Sequence, residues 1–182
     1  MAIKWKVDPA HSEVQFQVRH LMISKITGSF KMFDLEVETE TEDFNTAKSI
    51  VFTADIDSID TNNEQRDAHL KSADFFNKEA HAQIKFIGKT YEGNGTQEKL
   101  HGDLTISGIT KSMTVKVEFG GIANDSFGQT KAGFTITGII SRKDFGISWG
   151  GITEAGAIMI GDEIRLNAEI QLTKQQQIDI NF

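Results

Sequence analysis

The chain has no cysteine, one proline, one tyrosine and no long apolar run. The absence of cysteine excludes disulfides, thiolate nucleophiles and zinc–thiolate centres. No segment approaches the ~20 apolar residues that a membrane-spanning helix needs. Positive charge is in deficit: a net charge of -7 argues against nucleic acid and against anionic membrane surfaces. An anionic ligand would therefore need a local cationic site. The opening "MAIKWKVDPAHSEV" shows no apolar stretch ahead of a small-residue cleavage site. It is expected to carry no signal peptide, with the cytoplasm as the default compartment and a periplasmic or secreted one if a leader was trimmed. What is present is an ordinary soluble composition, 25% charged and 38% apolar, over 182 residues. That is most simply one domain over 1–182, able to bury roughly 70% of its unfolded surface.

Alternation dominates the chain. In "SEVQFQVRH", Val14, Phe16 and Val18 share one face, and Glu13, Gln15, Gln17 and Arg19 share the other. This is the period of a half-buried strand. The pattern returns in "SFKMFDLEVE", in "SIVFTADID", around Ile84 and Phe86, at Leu104 and Ile106, and at Met113, Val115, Val117 and Phe119. It returns again from Ala132 through Phe134, Ile136 and Gly138 to Ile140, and from Ile164 to Leu172. Turn-rich clusters such as "EGNGTQ", "SGITKS" and "ANDSFGQ" separate several of these stretches. Eight main strands result, preceded by a short "IKWKV" strand that Pro9 stops. Short connections make neighbours antiparallel. An all-β, eight-stranded up-and-down barrel is the expected architecture, with a two-sheet sandwich as the alternative. Residues 173–182 form a peripheral tail that either frays or docks Ile178, Ile180 and Phe182.

One segment breaks the alternation. "SIDTNNEQRDAHLKSADFFNKEA", residues 58–80, carries a T-x-x-E capping pattern from Thr61 to Glu64 and a run of good helix formers. It predicts one helix over about 62–76, between the third and fourth main strands, that covers a barrel end. If strands strictly alternate in direction, the first and seventh finish at that same end. Their inward stripes then run on to His20 and to Arg142 and Asp144. The expectation is an apolar bore with a polar mouth of His20, Arg66, His69, Arg142 and Asp144. A β-bulge before His20 or Arg142 would turn either outward. A structural ion pair between Arg142 and Asp144, and a solvated Arg66, are the plain alternatives.

The candidate bore residues are Phe16, Val18, Phe30, Phe52, Phe86, Phe134 and Ile136. Thirteen phenylalanines against one tyrosine leave the aromatic bulk without polar handles. An eight-stranded barrel is either packed solid or holds one small ligand. Small residues on the inward stripes, Ala54, Ala132, Gly138 and Ala168, leave room or let a facing stripe interdigitate. An apolar bore with a polar mouth suits an amphiphile. Catalytic readings are thin: the five histidines show no HxH or HxxxH spacing, and no metal or cofactor is expected. His11 and Ser12 are neighbours on a strand and face opposite sides, and no nucleophile elbow, P-loop or dinucleotide fingerprint occurs. A hydrolase or isomerase using the Arg/His/Asp cluster is the second class of function. The charged, mixed outward faces offer no obvious sticky patch, and a homodimer is left open.

The motifs "DPAHSEVQFQVRHLMIS", "GSFKMF", "SIDTNNEQRDAHLKSADFF", "GDLTISGITKSMTV" and "GFTITGIISRKDFGI", in this order and spacing, resemble the YceI-like family of polyisoprenoid-binding, lipocalin-like barrels. The resemblance runs from Trp5 to Leu172. One departure is His81-Ala82, where the family commonly has a Tyr-Pro pair after the two phenylalanines. The resemblance implies a lipocalin-like antiparallel barrel around a long apolar cavity. It also implies an isoprenoid or other amphiphilic lipid as ligand. For such a ligand the residues themselves lead us to expect Arg66 and Arg142 to take an anionic head, with no catalysis and no stable membrane insertion.

Overall fold

The computed structural model describes residues 2–95, 97–148 and 160–177. Their strands are β1 (Ile3–Val7), β2 (Glu13–His20), β3 (Ser24–Phe30), β4 (Phe33–Thr39), β5 (Ala47–Asp55), β6 (Ile59–Asp60), β7 (Gln83–Glu92), β8 (Glu98–Ile106), β9 (Ile109–Asn124), β10 (Thr130–Ser141) and β11 (Ile160–Lys174). A single helix α1 (Glu64–Lys71) lies between β6 and β7. All pairings are antiparallel, and the sheet closes on itself through β11, which pairs with both β10 and β1. The result is an eight-ribbon closed barrel, because β1 with β2, and β3 with β4, are each one ribbon broken by a kink.

The first kink follows from Pro9, which has no N–H to give to a ladder. Residues Pro9–His11 form a 3₁₀ turn that Asp8 caps through the Ala10 N–H at 3.1 Å. Ser12 restores the contact with β11: its hydroxyl accepts from the Gln171 N–H at 2.9 Å and donates to the Gln171 carbonyl. His11 turns to Asp8, so it stands apart from Ser12. The second kink lies at Lys31 and Met32, where β3 leaves the wall to pair with the short β6 while β4 continues beside β5. The β2–β3 hairpin consequently projects past the closed part of the barrel.

The two ends are sealed differently. At one end Trp5, Ala132 and Thr39 are wholly buried, and the Trp5 indole N–H donates to Thr39 Oγ1 at 3.0 Å. Phe44 packs against Trp5 with ring centroids 4.9 Å apart. At the other end the segment around α1 caps the opening. Phe75 is buried, the Phe76 ring meets Phe30 edge-on, and Ser107 at the β8–β9 turn donates to the Phe76 carbonyl.

The helix is shorter than the pattern predicts, and its cap is different. Asn63 caps it by accepting from the Arg66 N–H at 2.9 Å. Thr61 is buried and bound to Asp67 instead. After Lys71 the Ser72 hydroxyl takes the His69 carbonyl, and the chain coils through turns that place Phe75 and Phe76 on the barrel. The tail's Ile178, Ile180 and Phe182 lie outside the described residues, while the preceding Gln175 N–H donates to the Lys4 carbonyl beside β1.

Candidate functional site: an apolar bore

Inside the barrel lies an apolar cavity of about 190 Å³. Six of the seven residues expected on the bore form part of its wall: Phe16, Phe30, Phe52, Phe86, Phe134 and Ile136. They come from β2, β3, β5, β7 and β10, and each sits on the inward parity of its strand. Cross-strand pairs such as Phe52 with Phe86 hold the rings in register. Gly28 admits the Phe16 ring across the strand: a Cβ there would lie 2.2 Å from Phe16 Cζ. Ala54 and Ala168 also line the cavity, and their small side chains leave part of the void open. Val18 is the exception. It sits on the projecting hairpin and borders a separate surface recess with Met22, Lys25 and Arg165.

Two aromatic wall residues escaped the alternation. Phe44 lies on a 3₁₀ turn, Phe44–Thr46, where strand periodicity says nothing, and its ring meets Phe134 edge-on at 4.8 Å. Tyr91 is the other, and the signal for it was its being the only tyrosine. Gln15 and Asn167 also border the cavity, but they have the parity opposite to Val14 and Phe16 and to Leu166 and Ala168, so their side chains point outward. Tyr91 thus brings the one polar side chain to the bore among the described residues. Its phenol donates to Glu98 Oε2. Burial, then the hydrogen bond and charge of Glu98, hold that phenol's pKa well above the ordinary tyrosine range.

The five residues expected at a polar mouth are near the helix end, but none of them lines the cavity. His20 ends β2 opposite Ser24 and Ile160, on the hairpin beyond the barrel wall. Arg66 folds back on its own helix start, giving Nε to Thr61 Oγ1 at 2.7 Å and Nη2 to the Thr61 carbonyl. His69 Nε2 lies 2.8 Å from Asp74 Oδ2, and its ring stands edge-on to Phe75. Arg142 is only 4% exposed. Its guanidinium donates to the carbonyls of Gly161 and Ile147, each at 3.0 Å, and of Ile160 at 3.3 Å. Asp162 is the acid beside it, at 3.4 Å, in place of the Asp144 that the sequence proposed. Asp144 stands exposed in the same turn. The physical reason is that β10 ends at Ser141. Arg142 opens a 3₁₀ turn, Arg142–Phe145, so strand parity no longer sets its direction. The rest of the glycine-rich "GISWGGI" stretch, from Trp149 on, lies outside the described residues.

This arrangement can desolvate and hold a slender apolar molecule. Among the described residues no group of three or more acidic or histidine side chains is placed to hold a metal. The same architecture recurs in known proteins. A Campylobacter jejuni YCEI protein of known crystal structure is 32% identical, with a TM-score of 0.74 over 87% of this chain and 90% of its own. A polyisoprenoid binding domain from Saccharophagus degradans, implicated in plant cell wall breakdown, shares the fold at a TM-score of 0.70 over 94% of this chain and 98% of its own, at 11% identity. A UPF0312 protein of Staphylococcus aureus strain MSSA476 is 41% identical over 169 residues, 91% of this chain and 95% of the relative. With the YceI-like domain model matching residues 5–172, the chain belongs to the YceI-like domain family.

Proposed function

We propose that the barrel binds one amphiphilic lipid of isoprenoid type in its bore and carries, stores or senses it without catalysis. The observation that carries this reading is the interior void itself, walled by aliphatic and phenyl groups with Tyr91 as its one polar side chain among the described residues. A packed barrel would have filled it. The Saccharophagus domain with the same fold is described as polyisoprenoid binding, which supports the ligand class. Each methylene moved from water into such a site contributes up to ~0.8 kcal/mol, so a prenyl chain gains useful affinity after ordering costs. A dry cavity of ~150 Å³ takes a benzene-sized guest. By that measure the present void holds roughly one to two five-carbon units, and a longer chain occupies the bore by swinging the phenyl rings aside.

The head group follows from what is free to meet it. A phosphate would have to draw Arg66, His69 or Arg142 away from Thr61, Asp74 or the Ile147, Ile160 and Gly161 carbonyls. At Tyr91 it would face the Glu98 carboxylate. An uncharged hydroxyl head suits Tyr91, because the phenol oxygen gives its proton to Glu98 and keeps a lone pair for a ligand O–H. Among the described residues, Arg66, His69 and Arg142 are bound to Thr61, Asp74 and backbone carbonyls, which gives the hydrolase or isomerase alternative no support. Native mass spectrometry of the purified protein, followed by extraction, tests the reading. The expected result is a 1:1 prenyl-lipid adduct, or 1:1 uptake of an added polyprenol in preference to its phosphate. Failure to take up either would overturn it.

A further inference from the structure

From the β2–β3 hairpin we infer that the protein docks on anionic phospholipid bilayers through the hairpin tip, with Met22 and Ile23 entering the interface and Arg19 and Lys25 meeting the headgroups. Three features converge there. First, the tip is apolar and exposed: Ile23 is 81% and Met22 is 55% accessible. Second, the turn is built from residues that disfavour it. Leu21 and Met22, the first two of the three loop residues between His20 and Ser24, have φ of 52° and 60°, the left-handed conformation that favours Asn and Gly. An Asn-Gly turn would be the easier choice if this tip met only water. Third, Arg19 and Lys25 face each other directly across the hairpin. Like charges in that position repel, and an anionic surface relieves the repulsion. Among the described residues neither cation forms an ion pair. The acids that border the same recess are Asp162 and Glu163, and Asp162 is already bound by Arg142 and Lys143.

The hairpin also leads to the bore. Phe16 and Gly28 at its root, then Val18 and Ile26, then His20 and Ser24 pair along one face. That face is apolar from the cavity wall through Val18 and Ile26 and ends on His20 and Ser24 below the tip. Such docking is peripheral. The net charge of -7 opposes it globally, so attachment is local, reversible and strongly weakened by salt. The exposed apolar tip of the β9–β10 hairpin differs. Phe127 is 89% accessible there, but the turn's own acid, Asp125, caps it.

The test uses the full chain and vesicles free of any isoprenoid, so its outcome is separate from that of lipid uptake into the bore. Flotation is measured with phosphatidylcholine vesicles and with phosphatidylcholine–phosphatidylglycerol vesicles at low salt. The wild type is expected to float only with phosphatidylglycerol and to be released by added salt. Met22→Ser with Ile23→Ser, and separately Arg19→Gln with Lys25→Gln, are each expected to lower the bound fraction at least about fivefold at unchanged melting temperature. Phe127→Ser is expected to leave it unchanged. Absence of wild-type flotation, equal binding to both vesicle types, loss with Phe127→Ser alone, or capture of a protein instead of lipid by the hairpin would overturn the inference.

Discussion

At the end formed by β1 and β4, the barrel closes on Trp5 and Thr39, with Leu172 and Ala132 beside them, and the Lys131 and Asp8 charges there pair with each other at 3.1 Å. At the helix end Phe75 and Phe76 close it, and the polar side chains around them are spent on the chain itself: Arg66 on Thr61, His69 on Asp74, Arg142 on three carbonyls. Polar hydrogen bonding anchors both ends, yet the groups spent at the helix end are those that would look most like ligand-binding residues in a sequence. The bore takes its polar side chain from the Trp5 side, where Tyr91 enters from β7 and Gly93 beyond it is hydrogen-bonded to Asn45, next to Phe44. The comparison teaches that a cation near a cavity is informative only once its acceptors are known. A buried guanidinium with satisfied carbonyls fastens a loop.

The comparison breaks most decisively at Arg142. Arg142→Met should cost about 3 kcal/mol, since three carbonyls, that of Ile147 buried and those of Gly161 and Ile160 partly so, lose their donor. Urea unfolding measures it. A stable variant that binds lipid less well would instead make Arg142 part of the site. The other end offers a smaller counterpart. Thr39→Val leaves the buried Trp5 N–H without its acceptor and should cost about 2 kcal/mol, with lipid uptake retained. Smallest is Tyr91→Phe, at about 1 kcal/mol or less in stability. Its pH dependence has a definite sign. The folded-state pKa of Tyr91 is raised, so the stabilisation is fully present below the ordinary tyrosine pKa of about 10 and is lost as pH rises through the folded value. The stability gap between wild type and Tyr91→Phe should be level from neutral pH to about 10 and close above it. Unchanged head-group preference in that variant would exclude Tyr91 as the polar contact.

The barrel was legible because alternation reports burial directly. The stripe Phe134–Ile136 and the pair Phe52 and Phe86 needed only the two-residue period to be placed on the bore. Legibility failed where the strand itself stopped or left the wall. Val18 keeps its parity, but β3 pairs with β6 beyond the kink, so the hairpin carries Val18 out of the bore. Arg142 follows Ile140 by two residues, yet the strand ends between them. Thr61 has the right spacing to Glu64 for a cap, and Asp67 claimed it first. In each case hydrogen bonding that the two-residue period does not report overrides the pattern: the β3–β6 ladder, the end of β10, and the Thr61–Asp67 bond.

Blocking the bore tests directly whether it is the binding site. Ala168 lines the cavity beside Val14 and Ile136. Ala168→Trp fills the void from that wall. Isothermal titration with a short polyprenol is predicted to show 1:1 binding to the wild type and at least about a tenfold weaker affinity for Ala168→Trp at a similar melting temperature. Equal affinities in the two proteins would contradict the account.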